Sequence, residues 1–362
     1  MTNEPRSAST LILVSLLAGA LSAQEETDTI YLANGSTETG KVLEETWSGV
    51  SIQPEKGAKK TVAWDTLQSV DYFDAPEELK GGLVTLAAGN MEAARELFEI
   101  VLGLEGNRPM IVQQALFHRA YADQRLGKSA EADAGYSKLL KDFPKSRYLR
   151  EAAENLISLR LGQKDVASAQ AVLVGLAEDT KGLEGIEPLL GLLEARLQEG
   201  QDKTAEAGQR YSAVEAMAGA RPDMVQEAKL GRARTLLRAN KAAEAEPVFR
   251  ALIGESTLAR VQSGAWNGLA ELQAADGRAK KNSERILDAL YAYLRSVVQY
   301  KPLPGESTEE YERALAGAAT CFKYLSELEQ NPEKKKLHRD RERDRLEQLQ
   351  LEYPNSSFLK KK

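Results

Sequence analysis

The run Gly35-Ser-Thr-Glu-Thr-Gly40-Lys41 has the spacing of a phosphate-binding loop, in which backbone amides cradle a phosphate and the next helix turns its N-terminus to the anion. Such a loop needs Ser or Thr after the lysine to hold magnesium, and here Val42 follows, inside a stretch that alternates like a strand. The run therefore reads as a hairpin loop. The chain has two histidines, His118 and His338, and neither has a second histidine at helical spacing. Cys321 is the only cysteine and lies beside Phe322 in an apolar run, as a small buried residue would. No Gly-x-Ser-x-Gly, His-Glu-x-x-His or calcium-loop pattern is present. The expectation is a protein that is not an enzyme, with no catalytic residue, metal ligand or cofactor.

Charge points the same way. Between 334 and 345, Lys334, Lys335, Lys336, Arg339, Arg341, Arg343 and Arg345 alternate with Asp340, Glu342 and Asp344. A nucleic-acid arm is more purely basic and interleaved with aromatics, whereas mixed signs suit a solvated helix with i,i+4 pairs. No nucleic-acid partner is expected; contact with an anionic envelope surface is the secondary use of such a run. The net charge of −6 selects no partner.

Most of the chain is organised by a repeating trio: a glycine-like residue, an alanine five on, and a bulky residue four after that. Gly89/Ala94/Phe98, Gly127/Ala132/Tyr136 and Asn240/Ala245/Phe249 are the clearest copies, and weaker ones start at Lys164, Gly200 and Gly277. A turn residue that accepts left-handed backbone joins helix A to helix B. The alanine marks a close helix crossing, and the ring lies on the same helix face. Each hairpin then leaves an apolar face that only its neighbour can cover, which is the logic of a solenoid.

These residues resemble the tetratricopeptide repeat family over roughly 80–330, although the spacing exceeds the family's repeat of about 34 residues. Phe143-Pro144-Lys145-Ser146 and its echo Tyr353-Pro354-Asn355-Ser356 resemble a signature of bacterial envelope repeat proteins. The resemblance implies six to seven helix pairs in a right-handed arc whose concave face, lined by A helices, holds a protein or peptide partner. A common phase turns Gln114, Tyr121, Gln124, Arg234, Asn267 and Glu271 inward.

Two segments precede the repeats. Leu11–Leu17 is an apolar core behind Arg6, followed by small residues up to Ala23; it fits a cleaved export signal, 1–23, and is too short to span a membrane. A periplasmic or secreted location is expected, and an exported chain with one cysteine must be stabilised by packing alone. Over 24–75 the period changes to two, with β-branched and aromatic runs broken at Asn34-Gly35 and Lys56-Gly57. About five strands are predicted, curling into a small SH3-like or Sm-like barrel. Repeats then occupy 76–330 and a charged capping helix and tail 331–362, with no membrane span after the signal.

The expected function is an exported scaffold that binds a partner in the concave arc and takes part in cell-envelope organisation. The alternative places binding in the β module, with the solenoid as spacer or oligomerisation arm; an aromatic cleft around Tyr31, Trp47, Trp64 and Tyr72 would favour it.

Overall fold

The computed structural model describes residues 27–217 and 219–360; the expected signal segment lies outside the described residues. Five strands, β1 (Asp28–Leu32), β2 (Thr37–Thr46), β3 (Gly49–Pro54), β4 (Lys60–Val62) and β5 (Leu67–Asp71), form one antiparallel sheet in the order β4-β3-β2-β1-β5. Gly35 makes the β1–β2 turn at φ 84, and Gly40 and Lys41 sit within β2, paired with Pro54 and Gln53. The phosphate-loop spacing is thus a strand with a tight turn before it. Ile30, Val42, Val50, Ile52 and Val62 form the apolar side of the sheet. The first helices also cover this side: Leu79, Leu86, Phe98, Val101, Met110 and Ile111 join the same apolar cluster.

Fourteen α-helices follow among the described residues, in seven hairpins: α1 (Glu77–Ala87) and α2 (Met91–Gly103), α3 (Pro109–Arg125) and α4 (Ser129–Asp142), α5 (Leu149–Gly162) and α6 (Val166–Asp179), α7 (Ile186–Gly200) and α8 (Thr204–Glu215), α9 (Pro222–Arg238) and α10 (Ala242–Glu255), α11 (Ala259–Ala279) and α12 (Ser283–Gln299), α13 (Glu309–Leu328) and α14 (Pro332–Glu352). Each helix packs on the next, and the A helices α5, α7, α9, α11 and α13 also touch one another in order.

The left-handed turn residues are Gly89, Gly127, Lys164, Asp202, Asn240 and Lys281, with φ between 51 and 83. Five residues on come Ala94, Ala132, Ala169, Ala207, Ala245 and Ile286, all at 0% exposure. Four further on come Phe98, Tyr136, Leu173, Tyr211, Phe249 and Leu290, all buried. Two copies are therefore rephased. The turn expected at Gly200 is made by Asp202, because Gly200 is the last residue of α7, packed on Leu161. The turn expected at Gly277 is made by Lys281, because Gly277 lies inside α11, where a Cβ would come within 2.8 Å of Ile286. Both glycines serve close helix packing. The rings Tyr211 and Phe249 likewise seat on Gly231 and Gly268 of the following A helix, where any Cβ would overlap them.

The coil returns on itself. Phe143–Ser146 and Tyr353–Ser356 adopt the same turn: Phe143 and Tyr353 N–H donate to Leu139 and Leu349 carbonyls at 2.9 and 2.8 Å, and Ser146 and Ser356 N–H donate to Phe143 and Tyr353 carbonyls at 2.9 Å. The first turn leads into α5, whereas the second docks against α3. There Arg125 Nη2 donates to the Glu352 carbonyl at 2.6 Å and its guanidinium lies 4.2 Å from the Tyr353 ring centre. The charged helix α14 is largely exposed and buries only Leu349, but it packs along α13, with His338 beside Phe322 and Leu349 beside Tyr311 and Leu315.

The corrected phase is testable. Ala207→Leu should overpack the α7–α8 crossing and destabilise by about 1–3 kcal/mol, while Ala205→Leu, on the exposed side, should cost under about 0.5 kcal/mol. Denaturant melts of the two variants decide between the Asp202 and Gly200 phases.

Candidate functional site

An ion network joins four A helices on the inner side of the coil. Arg150 and Glu154 come from α5, Arg196 from α7, Asp223 and Glu227 from α9 and Arg260 from α11. Arg150 contacts Glu154 at 3.0 Å, Asp223 at 3.2 Å and Glu227 still more closely, Arg196 contacts Glu154 at 3.1 Å, and Arg260 contacts both glutamates. Burial raises the Glu154 pKa, but Arg196 and Arg150 outweigh it and hold the carboxyl below its usual range. Removing one partner from such a set leaves a buried charge uncompensated, a cost of about 3–5 kcal/mol.

The six residues expected to point inward meet different fates. Arg234 pairs with Glu310 of α13, and the fully buried Asn267 donates to the Glu310 carbonyl at 2.8 Å and carboxylate at 3.0 Å. Tyr121 is buried with its hydroxyl accepting from Arg125 at 3.0 Å, and Gln124 accepts from the Tyr136 hydroxyl at 2.8 Å. Glu271 is exposed on α11, within the field of Arg313. Gln114 alone of the six lines the trough described next.

This trough lies where the sheet meets the solenoid, and it consists of two adjoining depressions of about 590 and about 1170 Å³ that share Trp47, Trp64, Arg221, Asp223 and Leu258. Trp47 is the tip of the β2–β3 hairpin and Trp64 starts the 3-10 turn before β5. Arginines flank the indoles: the Arg147 guanidinium is 4.2 Å from the Trp64 ring centre and 4.8 Å from that of Tyr148, and Arg221 is 5.5 Å from Trp47. Behind Arg147 is Glu45, at 3.4 Å, which also accepts from the Tyr72 hydroxyl. Burial raises the Glu45 pKa against the pull of Arg147. Of the aromatic residues considered for a cleft in the β module, Trp47 and Trp64 line the trough, Tyr72 is buried beneath it, and Tyr31 is exposed and not part of its lining.

The trough floor holds buried polar atoms without partners. His118 is 8% exposed, packed among Phe98, Phe117 and Tyr148, and its Nδ1 makes no hydrogen bond; the Oγ of Ser263, on α11, makes none either. Among the described residues no cluster of three or more metal-ligating side chains occurs, and no helix is long and apolar enough to cross a membrane. Sequence reasoning missed the trough because Trp47 reaches Glu184, 137 residues away; the only local sign was a pair of tryptophans in a short β segment.

Residues 114–146, most of the α3–α4 hairpin, match the family model described as Tetratricopeptide repeat. The chain therefore carries a tetratricopeptide repeat, and with its seven stacked hairpins the helical part is a tetratricopeptide-like solenoid. Among solved structures it is similar to a tetratricopeptide repeat protein from Parabacteroides merdae (18% identity, 74% of this chain and 98% of that one, TM-score 0.40). It is also similar to BtubC from P. vanneervenii (17%, 65% and 94%, TM-score 0.38) and to the P58(IPK) TPR domain (13%, 75% and 79%, TM-score 0.22). No curated protein matches the chain.

His118 gives the site a pH signature. Burial, aided by the positive charge of Arg147, pushes its pKa down to about 3. The unfolded chain takes up this proton near pH ~6.5, so its contribution to stability is full above that value and is lost as pH falls toward the folded pKa. Between pH 7 and 5.5 the loss should be on the order of 1 kcal/mol. Urea melts at both values should show this difference in the wild type and its absence in His118→Phe.

Proposed function

We propose that this chain is a non-enzymatic binding protein that holds an extended segment of a protein partner in the trough between the Trp47/Trp64 indoles and the solenoid. The observation that carries this reading is the make-up of the trough lining. Arg150, Glu154, Asp223 and Arg260 of the ion network lie in it and satisfy one another, while beside them the trough presents indoles, the half-exposed Arg221 paired with Asp223, and unpartnered buried polar atoms. Aromatic and arginine side chains at a concave surface are the usual anchors of protein recognition. Tetratricopeptide folds commonly mediate protein–protein contacts, which supports a protein as the ligand. Because the trough has one wall from the sheet and others from the helices, binding by the arc and binding by the β module become one site. Gln114 is the inward A-helix residue that belongs to it, and Arg234 and Asn267 act by holding α13.

The apolar Leu11–Leu17 run and the small residues behind it support export to a periplasmic or extracellular setting. An envelope protein is accordingly the partner class of choice, with any role in envelope organisation following from that partner.

Cross-linking capture from the envelope fraction of producing cells tests this. Trp64→Ala and Arg221→Ala should each lower recovery of the partner at least about tenfold, and Arg250→Ala, on the exposed side of α10, less than about twofold, corresponding to about 1.4 kcal/mol or more against a few tenths. Equal recovery by all three would remove the trough as the binding site.

A further inference from the structure

We propose that the segment Lys301–Glu306 is a strap over the trough that swings away to admit a partner; this rests on the reading of the trough as the binding site and concerns its regulation. The segment belongs to the α12–α13 connection, residues 300–308, while every other connection between successive helices is three to six residues long. It runs from the sixth hairpin to the seventh, crossing the inner side of the coil and landing on α3 of the second. Tyr300, Pro302, Pro304 and Glu306 form a wall of the trough shared with Trp64 and Gln68.

What holds the strap down is slight. Pro302 and Pro304 have no N–H to donate. Leu303 N–H donates to Glu306 Oε2 at 2.8 Å and Glu306 N–H donates to the Leu303 carbonyl at 3.0 Å, so these bonds close the turn on itself. Among the described residues, no hydrogen bond joins 301–307 to another element. Docking depends on Gly305, buried at φ 93 against the Phe117 ring, while Leu303 faces outward at 65% exposure. A segment with a self-contained turn, one seated glycine and an exposed leucine belongs to the easily opened part of a structure.

What lies beneath adds an independent reason. With the strap docked, His118 Nδ1 and Ser263 Oγ are buried and unpaired, and an unpaired buried polar atom is costly. An incoming main chain supplies donors and acceptors for both, which the proline-bearing strap does not. Closure thus covers Phe117 and narrows the trough beside Trp47 and Trp64 while leaving a polar deficit that favours exchange of strap for ligand.

The test uses the full chain and no partner, so its failure is distinct from failure of the trough as a binding site. A Cβ at position 305 would come within 2.8 Å of Phe117 on backbone that side chains rarely adopt, so Gly305→Val should undock the strap. In a Trp266→Phe background, which leaves Trp47 and Trp64 as reporters, acrylamide quenching should rise at least about twofold in Gly305→Val, with the helical circular dichroism unchanged. Gly106→Val, equally left-handed but with open space around it, should leave quenching at the wild-type level. Hydrogen exchange of the unmutated chain decides even if the variant fails to fold: the Leu303, Gly305 and Glu306 amides should exchange at least about 100-fold faster than the interiors of α12 and α13, equivalent to an opening cost lower by about 2.7 kcal/mol. Unchanged quenching in a folded Gly305→Val, or strap amides as protected as the helices, would overturn the strap.

Discussion

The burial of one indole joins the two halves of the molecule. Trp47, at the tip of the β2–β3 hairpin, donates its amide to the Lys145 carbonyl at 2.7 Å and its ring N–H to the Glu184 carbonyl at 3.3 Å, and Arg221 lies over its ring. Those three residues come from three successive loops between hairpins, so one residue sets the spacing of hairpins two to five. Trp47 also belongs to the apolar cluster of Leu149, Ile186, Leu189 and Met224. Truncating a buried tryptophan costs about 3–5 kcal/mol. At the other end of the sheet, Arg108, just before α3, holds Asp28 of β1 through two hydrogen bonds of 2.9 and 2.7 Å and also pairs with Asp74. The sheet is therefore braced at both ends, and its apolar side is continuous with the core of the first hairpins.

This bracing and the internal ion network together shape the trough. A solenoid whose A helices present free side chains offers its whole concave face. Here Arg150, Arg196, Arg260, Glu154 and Glu227 use that face for one another, and α13 brings Glu310 to Arg234 and Asn267. Desolvated ion pairs of this kind add little net stability relative to apolar packing, but each has strict geometric demands, so they fix the relative placement of four A helices. Under the proposed function the partner is gripped beside this network, where the sheet supplies Trp47 and Trp64.

The architecture was legible in the sequence because it is local and periodic. Alanine five and a bulky residue nine after each turn identify helix B whatever residue makes the turn, and Ala207 with Tyr211 carried that signal for the fourth hairpin. Seeking glycine misplaced two turns, since Lys164, Asp202 and Lys281 also take the left-handed conformation when flanking helices impose it. The β segment was legible as strands, but not the surface covering its apolar side, because Val42 meets Met110 and Phe98 only through tertiary packing. The phase argument identified A-helix residues without showing which were already engaged: Asn267 is inward and consumed by Glu310, and Gln114 is inward and on the trough. No spacing rule links Trp47 to Glu184 or Arg125 to Tyr353.

The most direct test of this joined architecture is the thermal melt of a fragment spanning 76–362, followed by far-ultraviolet circular dichroism beside the intact chain. With Trp47, Arg108's partner Asp28 and the sheet side of the shared core removed, the fragment should melt more than about 10 °C lower, the size of shift that several kcal/mol produces in a chain of this length, and its helicity per residue should fall as the first hairpins lose their cover. A fragment that keeps full helicity and melts at the temperature of the intact chain would contradict it.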